Sequence, residues 1–121
     1  MTRFVPLTRR DGIVEAIEAH RVTSIVEMPD GFVNVWLGED AIQVPGTITG
    51  ISALLSDPPA GAVRFVEIDG EFFNPAKVYR VTPVHGQDGR SAIYDVTSSG
   101  FPVFVDCPVA DVIAKLEGRA L

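Results

Sequence analysis

In the first half of the chain, hydrophobic and polar residues alternate with a period of two in five runs, at about 3–8, 12–18, 21–28, 32–38 and 41–45. Alternation bounded by turn residues predicts β-strands with one buried face. After these runs the period lengthens. Ile48, Ile51 and Leu55 stand at i, i+3 and i+7, and Val109, Val112, Ile113 and Leu116 at i, i+3, i+4 and i+7. Each set predicts a short helix with a single apolar stripe. Thr47 or Thr49 suits the N-cap of the first helix, and Pro108 the first turn of the second, where a missing N–H costs nothing. Met28-Pro29-Asp30-Gly31 and Gly86-Gln87-Asp88-Gly89 each place Asp-Gly between β-rich runs, which predicts a hairpin at the centre of each half.

The pattern is written twice. Arg3-Phe4-Val5 corresponds to Arg64-Phe65-Val66, Asp11-Gly12 to Asp69-Gly70, Asp30-Gly31 to Asp88-Gly89, and Val35-Trp36 to Ile93-Tyr94. The helical positions Ile48, Ile51, Ala53 and Leu55 match Val109, Val112, Ala114 and Leu116. The expected fold is therefore α+β and mostly β, with two repeats of about 55 residues, each of antiparallel strands plus one C-terminal amphipathic helix. Ser56-Asp57-Pro58-Pro59-Ala60-Gly61 can neither continue a helix nor join a sheet centre. It separates repeats 1–56 and 62–119 within a single domain, 1–121. One helix on one small sheet buries little, so the repeats are expected to share a core or extend a common sheet.

Charge narrows the functional classes. Sixteen acidic against ten basic residues give a net charge of −6, divided as −4 over residues 1–60 and −2 over 61–121. Nucleic acid is bound largely by neutralising phosphates, so a sequence pI of about 4.7 sets the expectation against it. One cysteine permits no internal disulfide, the N-terminus lacks the apolar run of a signal peptide, and no run approaches a membrane span. These features lead to a cytoplasmic expectation with no membrane partner.

Little chemistry is assembled. His20, His85 and Cys107 lack close ligand spacing for zinc, and the glycines form no phosphate-binding loop. Neither a catalytic set nor a cofactor is expected. Glu67, Asp69 and Glu71 alternate, which on a regular strand places three carboxylates on one side. Phe72-Phe73 are adjacent, so one of them should leave the core unless both faces are covered. Together Glu67, Asp69, Glu71, Phe72 and Phe73 form a candidate partner surface. Trp36 and Tyr94 occupy matching hairpin positions and are expected to pack between the repeats.

Leu7-Thr8-Arg9-Arg10-Asp11-Gly12, Ile25-Val26-Glu27, Pro29-Asp30-Gly31 and Leu54-Leu55 resemble the small FlbD-type flagellar and swarming-motility proteins. Ile68-Asp69-Gly70-Glu71-Phe72-Phe73-Asn74-Pro75 and Val112-Ile113-Ala114-Lys115-Leu116 fit the same template. That resemblance implies an accessory protein acting through contacts. A second set spans the junction: Ile25-Val26-Glu27, Val44-Pro45-Gly46-Thr47, Leu54-Leu55, Val63-Arg64-Phe65-Val66 and Asn74-Pro75-Ala76-Lys77-Val78. It is similar to LytTR-type DNA-binding domains, in which the segment after the helix and a later strand end contact DNA. Here those stretches carry Arg64 followed by Glu67, Asp69 and Glu71, and then Asp106-Cys107-Pro108, so carboxylates face the phosphates. The first expectation is accordingly a non-enzymatic bacterial or phage interaction module that binds a protein or self-associates as a homo-oligomer, with nucleic acid an unlikely partner. The alternatives are a LytTR-like nucleic-acid-binding regulator, with Arg9, Arg10 and Arg64 as contacts, and a small-ligand binder with a pocket between repeats or protomers.

Overall fold

The computed structural model describes residues 4–38, 40–56, 64–95 and 102–118. Among them, five strands and a helix are followed by five strands and a helix again. The first half comprises β1 (Phe4–Thr8), β2 (Val14–Glu18), β3 (Ser24–Glu27), β4 (Phe32–Leu37), β5 (Asp40–Pro45) and α1 (Ile48–Ser56). The second comprises β6 (Val66–Ile68), β7 (Glu71–Phe73), β8 (Val78–Val84), β9 (Gln87–Asp95), β10 (Val103–Val105) and α2 (Val109–Leu116). The fold is α+β and mostly β, as the alternation predicts. Apart from Ser56 at the end of α1, the expected linker lies outside the described residues.

The strands form three antiparallel sheets. Hairpin β1–β2 stands as its own sheet, β10-β9-β8 form a second, and β5-β4-β3-β7-β6 form a third. The third takes strands from both halves, because β7 pairs with β3 through Ser24↔Phe73 and Ile25↔Phe72. Turns at Gly31 and Gly70 use positive φ, 86° and 83°, which glycine adopts without a Cβ clash. The second central hairpin turns earlier than expected. Gly86 takes the positive φ, and Gln87-Asp88-Gly89 already belong to β9.

Buried side chains fall into two groups. Val5, Leu7, Ile17, Ile25, Val33, Val35, Val44, Ile51 and Leu55 lie within the first half. Val66, Ile68, Phe73, Ile93, Val105 and Val112 lie within the second. Strand β7 runs between them. Phe73 faces the second group and is fully buried, while Phe72 points the other way and packs, half-buried, on the first. Both faces of this strand are therefore covered, and neither phenylalanine leaves the core as an interface would require.

Asn74 locks the halves together. Its Nδ2 donates to the Val22 carbonyl at 2.9 Å, its backbone N–H donates to the Thr23 carbonyl at 3.0 Å, and its Oδ1 accepts from the Ala76 N–H at 3.1 Å. Asn74 is only 3% exposed, so its bond to Val22 is shielded from competing water.

Thr47 caps α1, with Oγ1 accepting from the Gly50 N–H at 3.0 Å. This satisfies one of the amides that a helix leaves free at its start. Ile51 and Leu55 carry the apolar stripe inward. In α2 the stripe is rotated from the predicted one: Val112 and Ala114 are buried, whereas Ile113 is 37% exposed.

Candidate nucleic-acid interface

Arg9 and Arg10 belong to the turn between β1 and β2, and both are engaged by carboxylates. Arg9 hydrogen-bonds to Asp11 and lies 3.6 Å from Glu15. The Ile13 N–H, followed by Arg9 itself, holds the Asp11 carboxyl below its ordinary value. Arg10 pairs with Asp30 at 3.1 Å, and its guanidinium lies 4.1 Å from the centre of the Phe32 ring. A cavity of about 600 Å³ opens beside them, lined by Arg9, Arg10, Asp11, Glu15 and Asp40 among others. Its two cations face three carboxylates, so it offers no positive potential to a phosphate. All of its lining residues are from the first half, and it is not a pocket between the repeats.

The carboxylates expected on one face do not share it. Asp69-Gly70 form the β6–β7 turn, and Asp69 adopts φ 53°. Glu67 lies opposite Phe72, and Glu71 lies opposite Ile68. Opposed residues share a face and successive ones alternate, so Glu67 and Glu71 point to opposite sides of the sheet. Glu67 is exposed and accepts from the Gly70 N–H at 3.1 Å. Glu71 is half-buried, and burial first and Asp69 second raise its carboxyl above the ordinary value. Asp69 reaches across to the segment before α2, where its Oδ2 accepts from the Asp106 N–H at 2.9 Å. Asp69 and Asp106 thus lie together near the start of α2, with Arg90 paired to Asp106 at 3.5 Å.

Arg64 sits at the other end of that helix. Its Nη2 donates to the Leu116 carbonyl at 2.6 Å. A cation there complements the partial negative charge of a helix C-terminus. Among the described residues, no ion pair engages Arg64 or Arg80.

Other candidates stay apart. His85 lies in the β8–β9 turn and is exposed. Cys107 is buried, its backbone carbonyl accepts from Ser91 Oγ at 2.5 Å, and burial pushes its thiol up, against what an activated cysteine needs. Among the described residues, no three His, Cys, Asp or Glu side chains converge as a metal site. Trp36 is half-buried on β4. Tyr94 lies on β9 under the Arg80 guanidinium, at 5.0 Å, and does not pack between the halves as expected. Tyr79 and Arg80 were not singled out in the sequence. An aromatic-cation pair directly after Asn-Pro-Ala-Lys-Val is the signal that marks them.

No protein-family model and no curated protein sequence matches the chain. Its fold, however, is similar to that of a solved structure, the LytTr DNA-binding domain of a methyl-accepting/DNA response regulator from Bacillus cereus. The two superpose with a TM-score of 0.65 over 98% of this chain and 99% of that one, at 18% identity. The whole chain has the fold of that domain.

This likeness corrects the two leading functional expectations. The chain read as an interaction module assembled from FlbD-type units matches, from end to end, one domain of another kind, and the FlbD-type resemblance finds no support. The expectation that nucleic acid is an unlikely partner rested on net charge, and the fold of a DNA-binding domain points the other way. Net charge averages over a surface, whereas phosphates respond to the cations nearest them. Among the described residues Arg9, Arg10 and Arg90 are paired with carboxylates and Arg64 and Arg80 are not, a distinction invisible to a sum.

Proposed function

We propose that the chain is a non-enzymatic DNA-binding regulatory domain of the LytTR type. The observation that carries this reading is the whole-chain likeness to a LytTr DNA-binding domain, which includes both helices and all three sheets. A fold hosts more than one function, so the cations supply the second support. Of the three arginines expected to contact DNA, Arg9 and Arg10 are neutralised, and Arg64 remains as a proposed contact. Asp69 adds acid at the start of α2, where Asp106 holds Arg90 in an ion pair at 3.5 Å, which favours the opposite end for a polyanion.

A fluorescence anisotropy titration with a labelled mixed-sequence DNA duplex at low salt tests the proposal. Binding whose affinity falls steeply and log-linearly with salt is expected, because each phosphate contact releases condensed counterions. No binding at any salt concentration refutes it.

A further inference from the structure

We infer that the DNA backbone lies along a groove beside the C-terminal end of α2, with Arg64 and Arg80 on its phosphates and Tyr79 against the sugar-phosphate chain. The inference rests on the DNA-binding reading and adds the surface to it. Two hollows make the groove. One, of about 290 Å³, is lined by Tyr79, Arg80, Ile113 and Leu116 with Pro75 at its edge. The other, of about 260 Å³, is lined by His20, Arg64 and Asn74, again with Pro75. Pro75 lines both, and Arg64 in one bonds to the Leu116 carbonyl in the other, so the two hollows are neighbours on one face. His20 comes from the first half and Arg64 from the second, which places the groove where the halves meet.

The chemistry of the lining selects a phosphodiester chain. Arg80 is exposed and lies over the Tyr94 ring, a partner that orders a guanidinium without neutralising it. Tyr79 is 61% exposed, with its ring centre 6.3 Å from that of Tyr94 and the planes at 51°. An exposed phenol offers a hydroxyl donor to a phosphate and an apolar ring to deoxyribose. Ile113, exposed at the groove wall, adds apolar surface of the same kind. Glu117 is the one carboxylate among the described residues lining either hollow. The cavity beside Arg9 and Arg10, with three carboxylates, is the internal control.

The test is salt-dependent anisotropy with a labelled mixed-sequence duplex, comparing wild type with Arg80→Gln, Arg64→Gln, Tyr79→Phe and Arg10→Gln. Thermal melts monitored by circular dichroism verify folding, which matters most for Arg64 because it also caps α2. Arg80→Gln should weaken binding about tenfold and lower the slope of log affinity against log salt by about one, as loss of one phosphate contact requires. Arg80→Lys should restore the slope, Tyr79→Phe should weaken binding by roughly threefold without changing it, and Arg10→Gln should leave both unchanged. Wild-type binding that is indifferent to Arg80→Gln, or a slope change with Arg10→Gln instead, overturns the groove while leaving the DNA-binding reading intact. Absence of wild-type binding overturns both.

Discussion

Hairpins β1–β2 and β6–β7 open the two halves with the same Asp-Gly turn and are used in opposite ways. The first stands as a separate two-stranded sheet, and its turn arginines are held by Asp11, Glu15 and Asp30. The second is inserted into the five-stranded sheet, places Phe72 and Phe73 in different cores, and turns its aspartate toward α2. Similar local sequence thus makes a charge-balanced surface in one half and a mechanical link in the other. What decides the use is the neighbour on the open edge: β7 finds β3, and β1 finds no further strand among the described residues.

The comparison can be broken most severely at the link. Phe73→Ala should cost about 3–5 kcal/mol, the range for removing a fully buried phenylalanine, measured by chemical denaturation. A cost below about 1 kcal/mol would mean that the second hairpin is no more integral than an exposed strand. Asn74→Ala should follow with about 2 kcal/mol, because the buried Val22 carbonyl and Ala76 N–H lose a partner together. Hydrogen exchange should then show faster opening of β3 and β7 than of β9.

Smaller effects separate the charged groups. Arg80→Gln should lower DNA affinity about tenfold, or about 1.4 kcal/mol, while Arg9→Gln and Arg10→Gln leave it unchanged. Glu71 provides a pH signature. Its carboxyl is raised above 4.5 in the folded chain, so the folded state holds that proton more tightly than the unfolded state. Its contribution to stability is present below pH 4.5 and is lost as pH rises through the folded value. Glu71→Gln should therefore raise the melting midpoint at neutral pH, and the gain should vanish as pH falls toward 4.5. At the lower end, Arg9→Ala should leave the melting midpoint nearly unchanged, as loss of an exposed ion pair does.

Much of this architecture is legible in the chain. Alternation locates the first-half strands to within a few residues, and Thr47, one of the two threonines that suit the N-cap, caps α1. Long-range pairing is not. Strands β6 and β7 have three residues each, too short for periodicity to show, and nothing local to Phe72-Phe73 says that β3 lies beside them. The three-carboxylate face failed for the same reason, since a turn at Asp69-Gly70 reverses the chain that alternation assumes to run straight. At the candidate site, Arg9, Arg10 and Arg64 are equal in sequence. Only the fold shows that carboxylates hold two of them and a helix C-terminus holds the third.

The most direct measurement is an amide NMR titration of the labelled protein with a DNA duplex. Progressive shifts are expected for Arg64, Tyr79, Arg80, Ile113 and Leu116, with the Arg9–Gly12 turn and Asp69-Gly70 unmoved. Shifts concentrated at those two turns, or no shifts at all, would contradict that expectation.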